Sequence, residues 1–309
     1  MIIITALVHQ HLIETLQQKG FEVMYLPDIT HNDLLKIIPQ ATGLVVTTRL
    51  KIDQTLIDKA TKLQWIGRLG SGMELIDVAY AQSKNIVCLS SPEGNRNAVA
   101  EHALGMLLAM KNNLIKSSDE VKQGKWVRDE NRGSEISGKI IGIVGYGNTG
   151  QAFAKLLAGF DVTMLAYDKY KGDFGGKFIR EASLEQIAKY ADVISFHVPL
   201  SPETSNMANE AFFEMLENKP FIINTSRGNV VNAGALIEAL DNQKICGVAL
   251  DVIENEKLKT LNELQQAQLQ NLLARQNVLI TPHIAGYSHE AFLRMSTVLL
   301  SKLAALKFV

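Results

Sequence analysis

Lys139-Ile-Ile-Gly-Ile-Val-Gly145-Tyr-Gly147-Asn-Thr-Gly150-Gln-Ala-Phe-Ala154 decides the fold. An apolar run enters three glycines at G-x-G-x-x-G spacing, and an amphipathic pattern leaves them. In a strand–loop–helix setting, Gly145 permits a tight turn and Gly147 lets a pyrophosphate approach the backbone. Gly150 lets the helix pack close to the strand. The free N–H groups at the helix start, with Asn148 and Thr149, then face the phosphates. The next apolar run, Val162-Thr-Met-Leu-Ala-Tyr-Asp168, ends on an acid 18 residues after Gly150. A carboxylate there accepts hydrogen bonds from ribose hydroxyls and repels a 2′-phosphate, which favours NAD over NADP. Lys169 and Lys171 beside it soften that preference. The plainer alternative is a glycine-rich turn in an unrelated α/β protein. The register of strand, helix and Asp168 speaks against it.

Outward from this loop, short Val- and Ile-rich runs alternate with amphipathic stretches. Strands are expected at 2–5, 43–47, 64–68 and 86–89, then at 139–144, 163–167, 193–197, 221–224, 247–251 and 278–280. Helices are expected at 151–158, 183–190, 233–242 and 288–307, among others. This alternation predicts α/β architecture with parallel sheets, and the uninterrupted apolar strands predict helices on both faces. We expect two doubly wound domains, a Rossmann-type cofactor domain and a flavodoxin-like substrate domain, with a cleft between them. Turn and capping residues from Leu89 to Asn97 place the boundary near Asn95. The helix after Gly286 has no sheet left to serve in the second half and is expected to return to the first. The substrate domain then covers 1–95 and 286–309, and the cofactor domain 96–285.

Composition narrows the function classes. The chain has 309 residues, 47% of them hydrophobic, and a formal net charge of -1. That balance suits packed domains and gives no field for nucleic acid or an anionic membrane. No apolar run approaches the roughly 20 residues of a membrane span. Met1-Ile-Ile-Ile-Thr-Ala lacks a basic leader and reads as a strand. Cys88 and Cys246 sit in apolar stretches and read as buried reduced thiols, which points to the cytoplasm. Trp65 and Trp126 read as packing residues. No metal-ligand spacing is present.

Three further strand ends carry ionisable groups, and ligands of open α/β sheets bind at such ends. Arg227, in Asn224-Thr-Ser-Arg227-Gly228, can offer its planar fork to a carboxylate, or is a surface arginine on a turn. Asp251 closes a strand and Glu256 follows in what reads equally as a solvated acidic loop. His283, in Thr281-Pro-His283-Ile-Ala-Gly286, fits a positioned general acid/base, although a lone histidine is more often structural.

Seven segments in order carry a resemblance. They are Gly67-Arg68-Leu-Gly70-Ser-Gly72, Asn95 with Val99-Ala-Glu101-His102, the Gly145–Gly150 loop, Phe196-His-Val-Pro-Leu, Asn224-Thr-Ser-Arg227-Gly, Asp251-Val with Glu256, and Pro282-His283-Ile-Ala-Gly286. Together they resemble the D-isomer-specific 2-hydroxyacid dehydrogenases, a family that includes phosphoglycerate dehydrogenases and glyoxylate/hydroxypyruvate reductases. The resemblance covers nearly the whole chain and implies an NAD-dependent homodimer acting on a small 2-hydroxy or 2-oxo acid. It implies that His283 passes the proton, Glu256 hydrogen-bonds His283 and favours its imidazolium, and Arg227 binds the substrate. Arg68, Gly70, Ser71, Gly72 and Asn95 would join Arg227 in substrate binding. Beyond the glycine loop and Asp168, the cofactor would meet Val198, Pro199, Thr204, Thr225, Ser226, Asp251, His283 and Gly286. His102 and His197 would be structural supports.

The chain departs from the family pattern at several places. It has Met73-Glu74 where Asp-Asn is common after the substrate-loop glycines. Asn255 and Lys257 stand where prolines often flank the glutamate, and Asn232 where Asp is common. The loop around Glu256 is therefore expected to be mobile or to enter its helix early. An end at Val309 leads us to expect no C-terminal regulatory domain. Arg49, Arg68 and Arg96 are candidates for a substrate phosphate, which favours 3-phosphoglycerate over glyoxylate or hydroxypyruvate. An NAD-sensing, corepressor-like binding protein is the alternative from another class.

Overall fold

The computed structural model describes residues 1–309 as two compact units, Met1–Arg96 with Gly286–Val309, and Asn97–Ala285. The first unit holds strands β1 (Ile2–Ile4), β2 (Val23–Tyr25), β3 (Gly43–Val46), β4 (Trp65–Arg68) and β5 (Val87–Ser90). All pair in parallel in the order β2-β1-β3-β4-β5, the flavodoxin-like winding. Helices α1 (Gln10–Gln18), α2 (His31–Ile37), α3 (Gln54–Lys59) and α4 (Val78–Ser83) connect them.

Helix α5 (Pro92–Lys111) carries the chain out of this unit. The turn residues expected around Asn95 are instead its first turns. Pro92 is the first helical residue, where a proline forfeits no hydrogen bond, so Pro-Glu-Gly-Asn starts a helix here. Helix α6 (Leu114–Lys122) follows.

The second unit holds β6 (Ile140–Val144), β7 (Thr163–Tyr167), β8 (Ile179–Glu181), β9 (Val193–Phe196), β10 (Phe221–Asn224), β11 (Gly247–Leu250) and β12 (Val278–Ile280). Its sheet is wholly parallel, in the order β12-β11-β10-β9-β6-β7-β8. The chain winds outward in both directions from the β6/β9 junction, the switch point at which such sheets bind ligands. Helices α7 (Asn148–Leu157), α8 (Leu184–Tyr190), α9 (Glu210–Glu214), α10 (Ala233–Asp241) and α11 (Glu263–Leu273) cover it. Helix α12 (His289–Ala305) belongs to the first unit.

Consecutive strand residues feed opposite cores, which explains the unbroken apolar runs. On β10, Ile222 packs with α8, α9 and α10, whereas Phe221 and Ile223 pack with α5 and α7. On β1, Ile3 faces α2 and α3, whereas Ile2 and Ile4 meet Leu12 and Leu16 of α1 and Leu299 and Leu303 of α12. Trp65 is buried on that second face. Trp126 is not a packing residue: it is 80% exposed in the stretch after α6. Both cysteines are free, but Cys246 is exposed and Cys88 only half-buried, because β5 lies at a sheet edge and Cys246 precedes β11.

Candidate active site

At the β6/β9 switch point the glycine loop turns into α7. Gly145 has φ +96, a conformation that side chains resist, and a Cβ there would lie 2.6 Å from the carbonyl oxygen of His197. A Cβ on Gly150 would overlap the Gly145 carbonyl. A Cβ on Gly147, by contrast, would meet nothing within 4 Å. Gly147 is also the N-cap of α7 and offers no side-chain cap, which leaves the first N–H groups of the helix without a side-chain partner at the cap. Asp168, at the end of β7, accepts from the backbone N–H of Tyr146 (2.9 Å) and of Tyr170 (3.0 Å). A carboxylate accepts about four hydrogen bonds, so capacity remains for a ribose diol. Lys171 donates to the Tyr146 carbonyl (3.0 Å) and Lys169 pairs with Glu203 (2.6 Å). Both ammonium groups near Asp168 are thus engaged. These features fit a dinucleotide carrying no 2′-phosphate.

His197, below the loop, is buried against Phe153 and hydrogen-bonded through Nε2 to Ser195 Oγ (2.9 Å). Its Nδ1 has no partner. Burial pushes its pKa down to about 4, because the imidazolium would lack water. The sign follows: unfolding restores a value near 6.5, so the unfolded chain binds more protons between pH 6.5 and 4. Stability contributed by neutral His197 is complete above about 6.5 and is lost as pH falls through that window, by roughly 3 kcal/mol at 1.36 kcal/mol per unit. Acid titration of folding in the wild type and in His197→Gln is expected to differ by that amount. Parallel curves would contradict a neutral buried ring.

Thr204 fastens the loop after β9: its hydroxyl donates to the Pro199 carbonyl (2.6 Å) and accepts from Ser201 N–H (2.8 Å). After β10, Ser226 is likewise engaged, its hydroxyl donating to Asn224 Oδ1 (2.7 Å). Thr225 Oγ1 is buried without a partner, the kind of hydroxyl that a bound polar group satisfies.

Strands β10, β11 and β12 are neighbours, so Arg227, Asp251 and His283 share one edge of the sheet. Arg227 is half-buried and donates from Nη1 to the Ser226 carbonyl (2.7 Å). Gly228 then touches the Ile253–Glu254 peptide so closely that any Cβ would overlap it. Glycine is needed there to let the arginine turn abut the loop of Glu256.

Asp251 is 1% exposed, and its carboxylate accepts from Thr281 Oγ1 (2.6 Å), Ile284 N–H (2.9 Å) and Ala285 N–H (2.8 Å). His283 N–H donates to the Asp251 carbonyl (2.8 Å), and His102 Nε2 lies 3.1 Å from Thr281 Oγ1. The turn that carries His283 is therefore moulded around Asp251. Sequence reasoning overlooked Thr281, because a threonine before Pro-His carries no distinctive signal. His283 itself has φ +55, a left-handed backbone that residues with a Cβ adopt at a cost, stabilised by these bonds. Its Nδ1 meets Glu256 at 2.9 Å (Oε2) and 2.8 Å (Oε1). The ring is 38% exposed, and its Nε2 has no hydrogen-bond partner within the chain.

In the first unit, the loops after β4 and β5 form a second cluster. Gly70 N–H donates to Ser91 Oγ (3.0 Å), and Ser71 Oγ to Asn95 Oδ1 (3.4 Å). A Cβ on Gly286 would lie 2.9 Å from Asn95 Nδ2. Arg68 is 8% exposed and donates from Nη1 to the Leu69 carbonyl (2.8 Å). Arg49 donates to the carbonyls of Thr5 (3.0 Å) and Ile29. Arg96 is exposed. No group of three His, Cys, Asp or Glu side chains is placed to hold a metal ion.

Residues 104–285, which carry this glycine loop and the His283–Glu256 pair, match the model of the D-isomer-specific 2-hydroxyacid dehydrogenase NAD-binding domain. The chain belongs to that family. A hydroxypyruvate reductase of Thermotoga maritima is 33% identical over 272 residues, covering 88% of this chain and 87% of the relative. A D-3-phosphoglycerate dehydrogenase of Archaeoglobus fulgidus is 31% identical over 294 residues, 94% of this chain and 54% of the relative. The chain thus spans about half the length of several phosphoglycerate dehydrogenases that it matches. Among solved 2-hydroxyacid dehydrogenases, the D-lactate dehydrogenase of Aquifex aeolicus, complexed with NAD and lactic acid, superposes with a TM-score of 0.84 at 28% identity. That match covers 99% of this chain and 96% of the other. No helix is long and apolar enough to cross a membrane.

Proposed function

We propose that this chain is an NAD-dependent oxidoreductase that interconverts a D-2-hydroxy acid and its 2-oxo acid. The observation that carries the reading is His283, set at a strand end with Nδ1 on Glu256 and Nε2 without a partner in the chain. NAD, when bound, supplies or accepts the hydride at C2. With Glu256 accepting at Nδ1, the neutral ring presents a lone pair at Nε2 and the charged ring an N–H there. His283 thus takes the hydroxyl proton in oxidation and returns it to the oxo oxygen in reduction. Glu256 balances the imidazolium. Arg227 holds the substrate carboxylate or carbonyl and offsets negative charge on the reacting oxygen. Arg68, Gly70, Ser71, Gly72 and Asn95 are assigned to the substrate as well, through groups other than the Gly70 N–H, which Ser91 Oγ already holds. Gly145, Gly147, Asn148, Thr149 and Gly150 hold the pyrophosphate, Asp168 the ribose, and Val198, Pro199 and Thr225 line the cofactor path.

Our first substrate assignment is 3-phosphoglycerate/3-phosphohydroxypyruvate. It rests on the names of several similar curated proteins and on Arg96, which is exposed. Hydroxypyruvate or glyoxylate is the second reading, favoured by the carbonyl bonds that engage Arg49 and Arg68. A panel of 3-phosphohydroxypyruvate, hydroxypyruvate, glyoxylate, pyruvate and a branched 2-oxo acid, followed by NADH absorbance with NADPH in parallel, separates them. Rapid NADH-linked turnover of one compound is expected. Tight NADH binding without turnover would favour the binding-protein reading, and preference for NADPH would overturn the role of Asp168.

The reading extends to a cytoplasmic homodimer. Leu114, Ile115, Val121 and Trp126, on and just after α6, are 45–80% exposed apolar side chains, which favours a partner there. Sedimentation at micromolar concentration is expected to give a dimer, and a monomer would refute that assignment.

A further inference from the structure

Glu256 is held by a loop that contains no proline. Glu254, Asn255 and Leu261 of this segment line a cavity of about 50 Å³ together with Gly228, Val231 and Leu269, among others. Side-chain hydrogen bonds hold the segment around Glu256. Those bonds converge on Asn255. Its Oδ1 accepts from Lys257 N–H (3.0 Å), an Asx turn whose middle residue is Glu256. Its Nδ2 lies within 3.2 Å of Thr260 Oγ1 and 3.4 Å of Gln265 Oε1. Thr260 in turn donates to the Lys257 carbonyl (2.9 Å), closing the turn from the other side. Gln265 is no loose end: its Oε1 also accepts from Asn262 N–H (3.2 Å), in the capping box that starts α11. On the near side, Glu254 Oε1 accepts from Ala233 N–H (2.8 Å) at the first residue of α10.

We propose that Asn255 is a positioning residue for proton transfer: its carboxamide clamps the turn around Glu256 onto α11 and so keeps the carboxylate on His283 Nδ1. The inference rests on the role given above to the His283–Glu256 pair. Asn255 touches no reacting atom and acts only through Glu256, and this distinguishes it from a residue that merely stabilises the fold.

A double-mutant cycle in kcat reads that difference. Purified full-length wild type, Asn255→Ala, Glu256→Ala and the double variant are compared with NADH and the best 2-oxo acid of the panel, and NADH affinity is measured by fluorescence. Asn255→Ala is expected to lower kcat about tenfold in the wild-type background and less than twofold in the Glu256→Ala background, with NADH affinity unchanged in both. Asn255→Asp, which keeps the Oδ1 acceptor of the turn, is expected to recover part of the loss. Equal losses in the two backgrounds, or no loss in the first, would overturn the positioning role. If Glu256→Ala itself leaves kcat intact, the reading of the pair falls first, and this inference falls with it.

Discussion

Replacing His283 by alanine is expected to lower turnover roughly 10²–10⁴-fold, the range for losing a general acid/base, while NADH affinity stays within about twofold. The split follows from the geometry. In the proposed mechanism the proton is handled at Nε2 of a ring whose Nδ1 is on Glu256. The dinucleotide is assigned to the β6–α7 loop and Asp168, which belong to other strands. His283→Gln is the sharper variant, because it keeps a hydrogen-bonding group but cannot take up a proton. Its rate should fall nearly as far. Wild-type turnover in either variant would assign the proton to another residue.

Replacing Asp251 by alanine is expected to cost about 3–5 kcal/mol of stability, because it leaves buried donors without an acceptor. Three donors would lose their acceptor: Thr281 Oγ1, Ile284 N–H and Ala285 N–H. Each buried unsatisfied donor costs about 1–3 kcal/mol. The backbone of His283 sits at φ +55. Without the bonds that stabilise it, the turn should relax and activity should fall beyond what the folded fraction explains. Asp251→Asn, which keeps the shape and one acceptor oxygen, should lose about half as much. Denaturant midpoints measure both, and a cost below about 1 kcal/mol would show that the turn is held by something else.

The legible part of this chain is the part with a period or a spacing. The glycine loop needs strand, turn and helix in one register, and all three are written in Lys139–Ala154. The apolar runs of β9, β10 and β11 announce strands covered on both faces. Strands β2 and β8 escape such reading, because each has three residues, lies at a sheet edge and is at most partly buried. The start of α5 escapes it because Pro92 and Gly94 read as turn residues, although proline is welcome in a first turn. Trp126 and Cys246 show the limit of residue type as a guide to burial. A tryptophan in a polar stretch and a cysteine before a strand are decided by what lies opposite them, which no local pattern records.

The site divides in the same way. Ionisable residues at strand ends announce Arg227 and His283, since the sheet brings strand ends to one edge whatever their separation in sequence. Which donors surround Asp251, and that Thr281 joins them, depends on the path of a turn and is visible only in three dimensions. The absence of flanking prolines suggests a loose loop around Glu256. The side chains of Asn255, Thr260 and Gln265 tie it down instead, through bonds that no spacing rule anticipates.

Hydride transfer to a 2-oxo acid is tested most directly with NADH carrying deuterium at both C4 positions. Incubation with the preferred substrate of the panel should yield a 2-hydroxy acid with one deuterium at C2, all of it in the D configuration by chiral chromatography. An L product, a product without deuterium, or bound NADH that never turns over would contradict the account.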